Sequence, residues 1–268
     1  MGTSHLPPSI QNIIGMGVIK EIYPVRPSTK WITIIVAIFF LGSALVVGIL
    51  GVNSLIGRVL GKSQAYGLTS IGILLGISGV IGIIGLASVW SAYSNWHKTV
   101  VVYENGLVFL DRKGVKTIRW EEVDTMTSQV TKHYTNGIYT GTTHLYIIVK
   151  KDQERIGLDD RIKDVEKAAG MIRQKVFPLL YKRYSEAYNT GQPVVFGPVM
   201  ISRAGGYQVG KKQFLWEEID SITLQQGTIK VSRRNGGLFS GSNTLASTIP
   251  NVEILLAIID QVVGIKSK

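Results

Sequence analysis

Two uncharged apolar stretches constrain this chain more than anything else in it. Trp31–Gly51 and Ser70–Ala92 hold 21 and 23 residues without one Asp, Glu, Lys, Arg or His. A helix rises about 1.5 Å per residue, so each stretch reaches roughly 30 Å, the thickness of a bilayer's hydrocarbon core. Both therefore read as membrane-spanning helices, which satisfy their own backbone polar groups in lipid. The first begins at residue 31 and its apolar run exceeds that of a secretory leader, so it reads as a retained anchor.

Charge is distributed to match. From Ser63 to Trp96 there is no charged residue, whereas the chain beyond Trp96 carries 24 of the 29 Lys+Arg and 17 of the 18 Asp+Glu. That polar region is long enough to bury one or two cores of its own. Cysteine is absent, which removes disulfides, thiolate metal sites and thiol nucleophiles from consideration.

The expected layout is a juxtamembrane segment (1–30), a first span (31–51), a connecting loop (52–69), a second span (70–92) and two β-rich units (97–186 and 187–268). Lys20, Arg26 and Lys30 precede the first span and Lys98, Arg112 and Lys113 follow the second, against Arg58 and Lys62 in the loop. Positive residues favour the cytoplasmic side, so both termini are expected there, in a plasma (inner) membrane protein. Trp31, Trp90, Tyr93 and Trp96 mark the span ends, where amphipathic rings favour the headgroup layer. Gly72, Gly76 and Gly79 share a helical face, and Ala44 and Gly48 form a small pair. These positions are expected to pack the two helices together, or to pair copies of the chain in a homo-oligomer.

The polar region echoes itself. Trp120-Glu121-Glu122-Val123-Asp124 returns as Trp216-Glu217-Glu218-Ile219-Asp220. Before the first copy lie β-rich runs at Val100–Tyr103, Leu107–Leu110 and Val115–Trp120; before the second, Val194–Phe196, Val199–Ile201 and Tyr207–Trp216. Asn105-Gly106, Asn136-Gly137 and Asn235-Gly236 are hairpin signals. After the first copy come strand-like Thr125–Tyr134 and Thr143–Val149, then a helical stripe at Ile162, Val165, Ala169, Ile172, Val176 and Leu179. The second copy ends in an apolar helix over Val252–Ile265. The Trp of each motif is expected to face a core and the Glu pair to sit on opposite faces of a strand, which suits structure better than catalysis.

Antiparallel strands closed by a C-terminal helix, twice over, resemble the pleckstrin-homology-like (PH-like) fold. With Ile19-Lys20-Glu21-Ile22-Tyr23-Pro24 before the first span, the hairpin at Tyr103–Leu107 and the two Trp-Glu-Glu motifs, the chain is similar to uncharacterised bacterial two-helix membrane proteins with PH-like domains. The resemblance implies a membrane-anchored α+β protein and brings no catalytic residues with it.

Other chemistry is thin. Gly57-Arg58-Val59-Leu60-Gly61-Lys62-Ser63 falls one residue short of a P-loop and lies in a membrane hairpin. His5, His97, His133 and His144 are too dispersed for a linear metal motif, although His133 and His144 flank a hairpin and are candidates to face each other across it. No cofactor and no metal is implied. Arg112-Lys113, Lys211-Lys212 and Arg233-Arg234 fall at predicted turns and are the candidate binding residues for a protein partner or anionic lipid headgroups. They are not interleaved with aromatics as in nucleic-acid binders. The expected function is a non-catalytic scaffold or sensor; the alternative is an accessory subunit that contacts a larger membrane complex through its glycine-rich helices, and a third, less favoured reading is an enzyme with an unrecognised site.

Overall fold

A computed structural model describes residues 13, 15–61, 68–96, 98–234, 236 and 240–265 of the chain. It is an α+β architecture with two long apolar helices, α1 (Pro27–Val59) and α2 (Leu68–Asn95), and antiparallel sheets. Both helices are longer than their uncharged stretches. Pro27 starts α1 where its missing N–H is not needed. No proline interrupts residues 52–59, so the helix runs on past Gly51, and Ser54 Oγ folds back to donate to Leu50 O at 2.7 Å. It stops where Leu60 N–H donates to Ile56 O (3.0 Å) and Gly61 turns to φ +67°, a left-handed cap suited to glycine. The expected loop 52–69 thus shrinks to the residues between the helices; 62–67, with Lys62, lie outside the described residues, as do His5, His97, Asn235 and Gly237.

Both helices are long and apolar enough to cross a membrane. Their large side chains point outward: Phe39 is 67% and Ile83 68% exposed. Between them the contact is made by small residues. Gly48 faces Ser78, Gly51 faces Leu75, and Gly82 faces Ala44. Ser78 Oγ donates across the pair to Ala44 O at 2.8 Å. Ala44 and Gly48 therefore lie at the contact between the helices, whereas Gly72, Gly76 and Gly79 do not. Among the described residues, and leaving aside their chain neighbours and the helix's own backbone, no atom lies within 4 Å of where their side chains would be. Their shared face is real, but it is the face turned away from α1.

The polar region begins before the hairpin. β1 (Ile19–Pro24) precedes α1, β2 (Thr99–Tyr103) follows α2, and the two pair antiparallel with Tyr23 opposite Val100 and Pro24 opposite Thr99. β3 (Gly106–Asp111) and β4 (Gly114–Arg119) complete a sheet of order β1-β2-β3-β4. A second sheet follows, of β5 (Val123–Thr135), β6 (Ile138–Lys150) and β7 (Arg155–Asp159), and then α3 (Val165–Asn189). The segment expected to be merely juxtamembrane thus supplies an edge strand. The helical hairpin is an insertion between the first two strands of this unit. β2 is apolar at nearly every position because both its faces are covered: one by the main core, the other by Met16 with Val101, Tyr103 and Val108.

The second unit repeats this order without the insertion. β8 (Val194–Phe196), β9 (Val199–Ser202), β10 (Gly206–Val209) and β11 (Lys212–Phe214) form one sheet. β12 (Ile219–Gln225), β13 (Thr228–Arg233) and β14 (Ser242–Leu245) form the other, and α4 (Val252–Val263) closes it.

Each Trp-Glu-Glu motif is a single 3-10 turn between the two sheets, not strand. The last Glu reaches back to accept the N–H preceding the turn: Arg119 N–H to Glu122 (3.0 Å) and Leu215 N–H to Glu218 (3.2 Å). The indoles act alike, Trp120 Nε1 donating to Glu104 O (2.8 Å) and Trp216 Nε1 to Ser202 O (2.9 Å). Trp120 is buried and Trp216 half-buried. On α3 the buried stripe is Val165, Ala168, Ala169, Ile172, Val176 and Leu180. Leu179 points outward, since the 3.6-residue period carries Val176 on to Leu180. Ile162 precedes the helix and bridges to Val25.

Asn251 joins the units. Buried, with φ +52°, it exchanges hydrogen bonds with Met126 of β5: its N–H donates to Met126 O (3.0 Å) and its Oδ1 accepts from Met126 N–H (2.8 Å). Its Nδ2 donates to Asp124 O at 3.1 Å. Arg173 pairs with Glu253 (3.0 Å) beside it. One core cluster runs through both units.

Candidate functional site

Three of the six candidate basic residues converge on one cleft of the second unit. The β10–β11 turn brings Lys211 and Lys212 and the end of β13 brings Arg233. Lys230 and Ser232 of β13, Ser242 and Asn243 of β14, and Pro198 are among the other residues that line it. Arg234 lies just beyond the cleft, its N–H donating to Glu218 O at 2.6 Å. Arg112 and Lys113 are elsewhere.

Comparing the two units shows what is particular about this cleft. Lys116 and Lys212 each lie four residues before the repeated Trp. Lys150 and Arg233 are equivalent too, each pairing with the residue after the 3-10 turn, Val123 and Ile219 respectively. In the first unit the β6–β7 turn meets these cations with carboxylates: Lys116–Glu154 at 2.9 Å, Lys150–Asp152 at 3.0 Å and Lys150–Glu154 at 3.4 Å. Lys116 holds the Glu154 carboxyl below its ordinary value, and the contact with Asp152 raises Lys150.

In the second unit no acidic residue occurs between Asp220 and Glu253. Lys212 Nζ donates instead to the neutral Gly241 O (2.8 Å), and Lys230 Nζ to Gln225 Oε1 (3.4 Å). Among the described cations of the cleft only Arg233 meets a carboxylate, Glu218 at 3.1 Å, while its guanidinium lies 5.3 Å over the Phe214 ring. The equivalent corner is neutralised in one unit and left cationic in the other. Such a corner, with backbone and hydroxyl donors around it, can accept an anionic group through charge-assisted hydrogen bonds. Sequence reasoning missed Lys230; its alternation with Ser232 on the exposed face of a short strand was the available signal.

Arg112 belongs to the other end of the molecule. With Lys113 it forms the two-residue β3–β4 turn, and its guanidinium stacks over Tyr93 (4.3 Å) and Trp90 (4.9 Å) at the end of α2. Lys30 at the start of α1 lies 5.0 Å over Trp96. Arg161 donates to Asn95 Oδ1 (2.9 Å) and grips Asp159 with Nε at 2.9 Å. Burial raises the Asp159 carboxyl, but Arg161 and Lys98 outweigh it and the group ends below its ordinary value. Burial and the nearby Arg161 charge lower Lys98. These contacts hold the helix ends against the first unit.

The histidines do not face each other. His133 is opposite Gly141 and contacts Thr143 Oγ1 (2.7 Å), whereas His144 is opposite Val130. His144 lies between Asp160 (2.9 Å) and the carboxylate of Glu166. Among the described residues no group of three His, Cys, Asp or Glu is placed to hold a metal.

A comparison with curated proteins finds no match to this sequence. A family model does match, over residues 11–266, from before β1 to the end of α4. The matched span takes in the helical hairpin and both β-units, so the chain belongs to that family, described as a family of unknown function (DUF6585).

Proposed function

We propose that this is an integral membrane protein that displays two PH-like units as a non-catalytic scaffold or sensor, and that the cleft of the second unit takes an anionic group of its partner. The unneutralised corner at Lys211, Lys212 and Lys230 carries this reading, because the first unit fills the same corner with Asp152 and Glu154. Four strands, three strands and a closing helix, repeated in that order, support the PH-like assignment. The apolar outer faces of α1 and α2 support the membrane span, and the cations at their base support a cytoplasmic placement of the units.

The partner is a protein or a lipid headgroup bearing negative charge. α3 is about 37 Å long at 1.5 Å per residue, and Tyr188 near its far end packs on Trp216 of the second unit. That spacing favours a protein over the leaflet that holds the helices. Purifying the full chain in mild detergent, beside Lys211→Glu/Lys212→Glu, and identifying what accompanies each tests the reading. A partner lost from the variant supports it; the same partner held equally by both refutes it.

An accessory-subunit reading has one observation in its favour: Gly72, Gly76 and Gly79 leave an open strip on the outer face of α2. A partner held by the hairpin alone would select it.

A further inference from the structure

The β5–β6 hairpin outgrows its sheet. β7 pairs with β6 only from Leu145 to Val149, so the rest of the hairpin continues as a two-stranded ribbon, with Tyr134 opposite Tyr139 and a turn at Asn136-Gly137. All residues from 130 to 140 are exposed, Ile138 to 71%. Two strands alone are marginal in water, and this ribbon carries apolar and aromatic side chains at its tip where soluble ribbons carry charge. Its root is fixed. His144 N–H donates to Asp160 Oδ2 (2.6 Å), and the His144 ring lies between Asp160 and Glu166.

The position of the root says what the tip meets. Arg26, the residue from which α1 departs, shares a groove with Lys132, Tyr139, Thr142, His144 and Asp160. Arg26 N–H donates to Arg161 O (2.8 Å), tying the end of β7 to the start of α1. The ribbon therefore overhangs at the end of the unit where the helices leave it. The six residue steps from Val130 to Asn136 extend about 20 Å. Along α1, Trp31 is only about 7.5 Å beyond Arg26. The ribbon is long enough to reach the level of the aromatic residues at the helix ends. Its charge suits an anionic leaflet: Lys132 is basic, and no acidic residue occurs between Asp124 and Asp152.

We propose that the β5–β6 ribbon is a third membrane contact, its tip of Tyr134, Ile138 and Tyr139 lodged in the headgroup layer beside α1. This rests on the reading of α1 and α2 as membrane-spanning. Tyrosine rings are favoured at that depth, with apolar faces inward and hydroxyls toward water. The contact would hold the first unit at a fixed tilt to the bilayer.

The chain has no cysteine, so single labels can be placed at will. Asn136→Cys reports the tip, Lys151→Cys the opposite end of β6, and Phe39→Cys the middle of α1. Each full chain is labelled with the fluorophore NBD and reconstituted into phosphatidylcholine–phosphatidylglycerol vesicles containing nitroxide lipids, placed at the headgroup or at mid-chain. The Asn136 label should lose most of its emission to headgroup nitroxide and little to mid-chain nitroxide. The Phe39 label should show the reverse, and the Lys151 label should lose emission to neither. An Asn136 label that behaves like Lys151 while Phe39 is quenched overturns the ribbon contact and leaves the spanning helices standing. An unquenched Phe39 overturns the spanning reading and this proposal with it. Adding Tyr134→Ser, Ile138→Ser and Tyr139→Ser to the Asn136→Cys chain should abolish the headgroup quenching; full retention overturns the role given to those side chains.

Discussion

The insertion of the helical hairpin between β1 and β2 makes a sharp prediction about how the polar part can be separated from the helices. Cutting the chain before residue 98 removes β1 and the segment ahead of it, and with them the buried side chains of Met16, Tyr23 and Val25. At about 1.5–3 kcal/mol for each fully buried apolar side chain, the loss is roughly 5–9 kcal/mol. The whole stability of a domain is about 5–15 kcal/mol, so residues 98–268 should unfold or aggregate on their own. Keeping residues 13–26 and joining Arg26 to Lys98 through a short Asn-Gly turn restores the strand pair. Pro24 and Thr99 are already opposite each other in the register, and cross-strand Cα atoms are only about 5 Å apart. The spliced chain should be soluble without detergent and melt cooperatively by circular dichroism in urea. The truncated chain should show little or no cooperative transition. Equal urea midpoints for the two would refute the placement of β1 as a structural strand.

Other consequences can be checked with single substitutions. Trp120→Ala should cost about 3–5 kcal/mol in the spliced protein, and Trp216→Ala measurably less because that ring is half-buried; the reverse order in urea unfolding would contradict their packing. Asn251→Ala removes the side-chain bonds from α4's start to β5, leaving only the backbone N–H on Met126 O, and should split one unfolding transition into two in calorimetry; a single unchanged transition would show that the shared core and that backbone bond suffice. Asp159 contributes stability above the ordinary carboxylate range, and that contribution should fade as pH falls through its lowered value. Asp159→Asn should flatten that acid limb. Lys211→Gln with Lys212→Gln should weaken binding of an anionic partner by about 3 kcal/mol, on the order of a hundredfold, by titration calorimetry.

The sequence made the apolar helices and the internal repeat legible, since length without charge and five matched positions are local signals. β1 was hidden because its partner lies on the far side of the hairpin, and a six-residue strand gives no hint of pairing across that distance. Gly72, Gly76 and Gly79 share one face, as their spacing indicated, but it is not the face that meets α1. Periodicity states which residues lie together, not which way they turn. The Trp-Glu-Glu motifs were read as strand because the 3-10 turn is short and its capping Glu looks like any exposed acid. Lys211, Lys212 and Arg233 were found as turn residues. That they converge, and that Asp152 and Glu154 occupy the matching corner of the first unit, required the register of both sheets.

The inserted hairpin also sets an order of events for the growing chain. β1 is synthesised first and must wait about seventy residues for β2. Closing a free loop of that length costs about 4 kcal/mol in chain entropy before any strand contact forms. When α1 and α2 pair through Ala44, Gly48 and Ser78, they set Arg26 and Lys98 side by side and remove most of that search. Helix pairing thus acts as a clasp that licenses closure of the first sheet. A chain whose helices have not met carries a β2 that is paired to β3 on one edge and open on the other, an apolar strand lacking one neighbour. Quality control that recognises exposed apolar strand edges would thereby read whether the helices had paired.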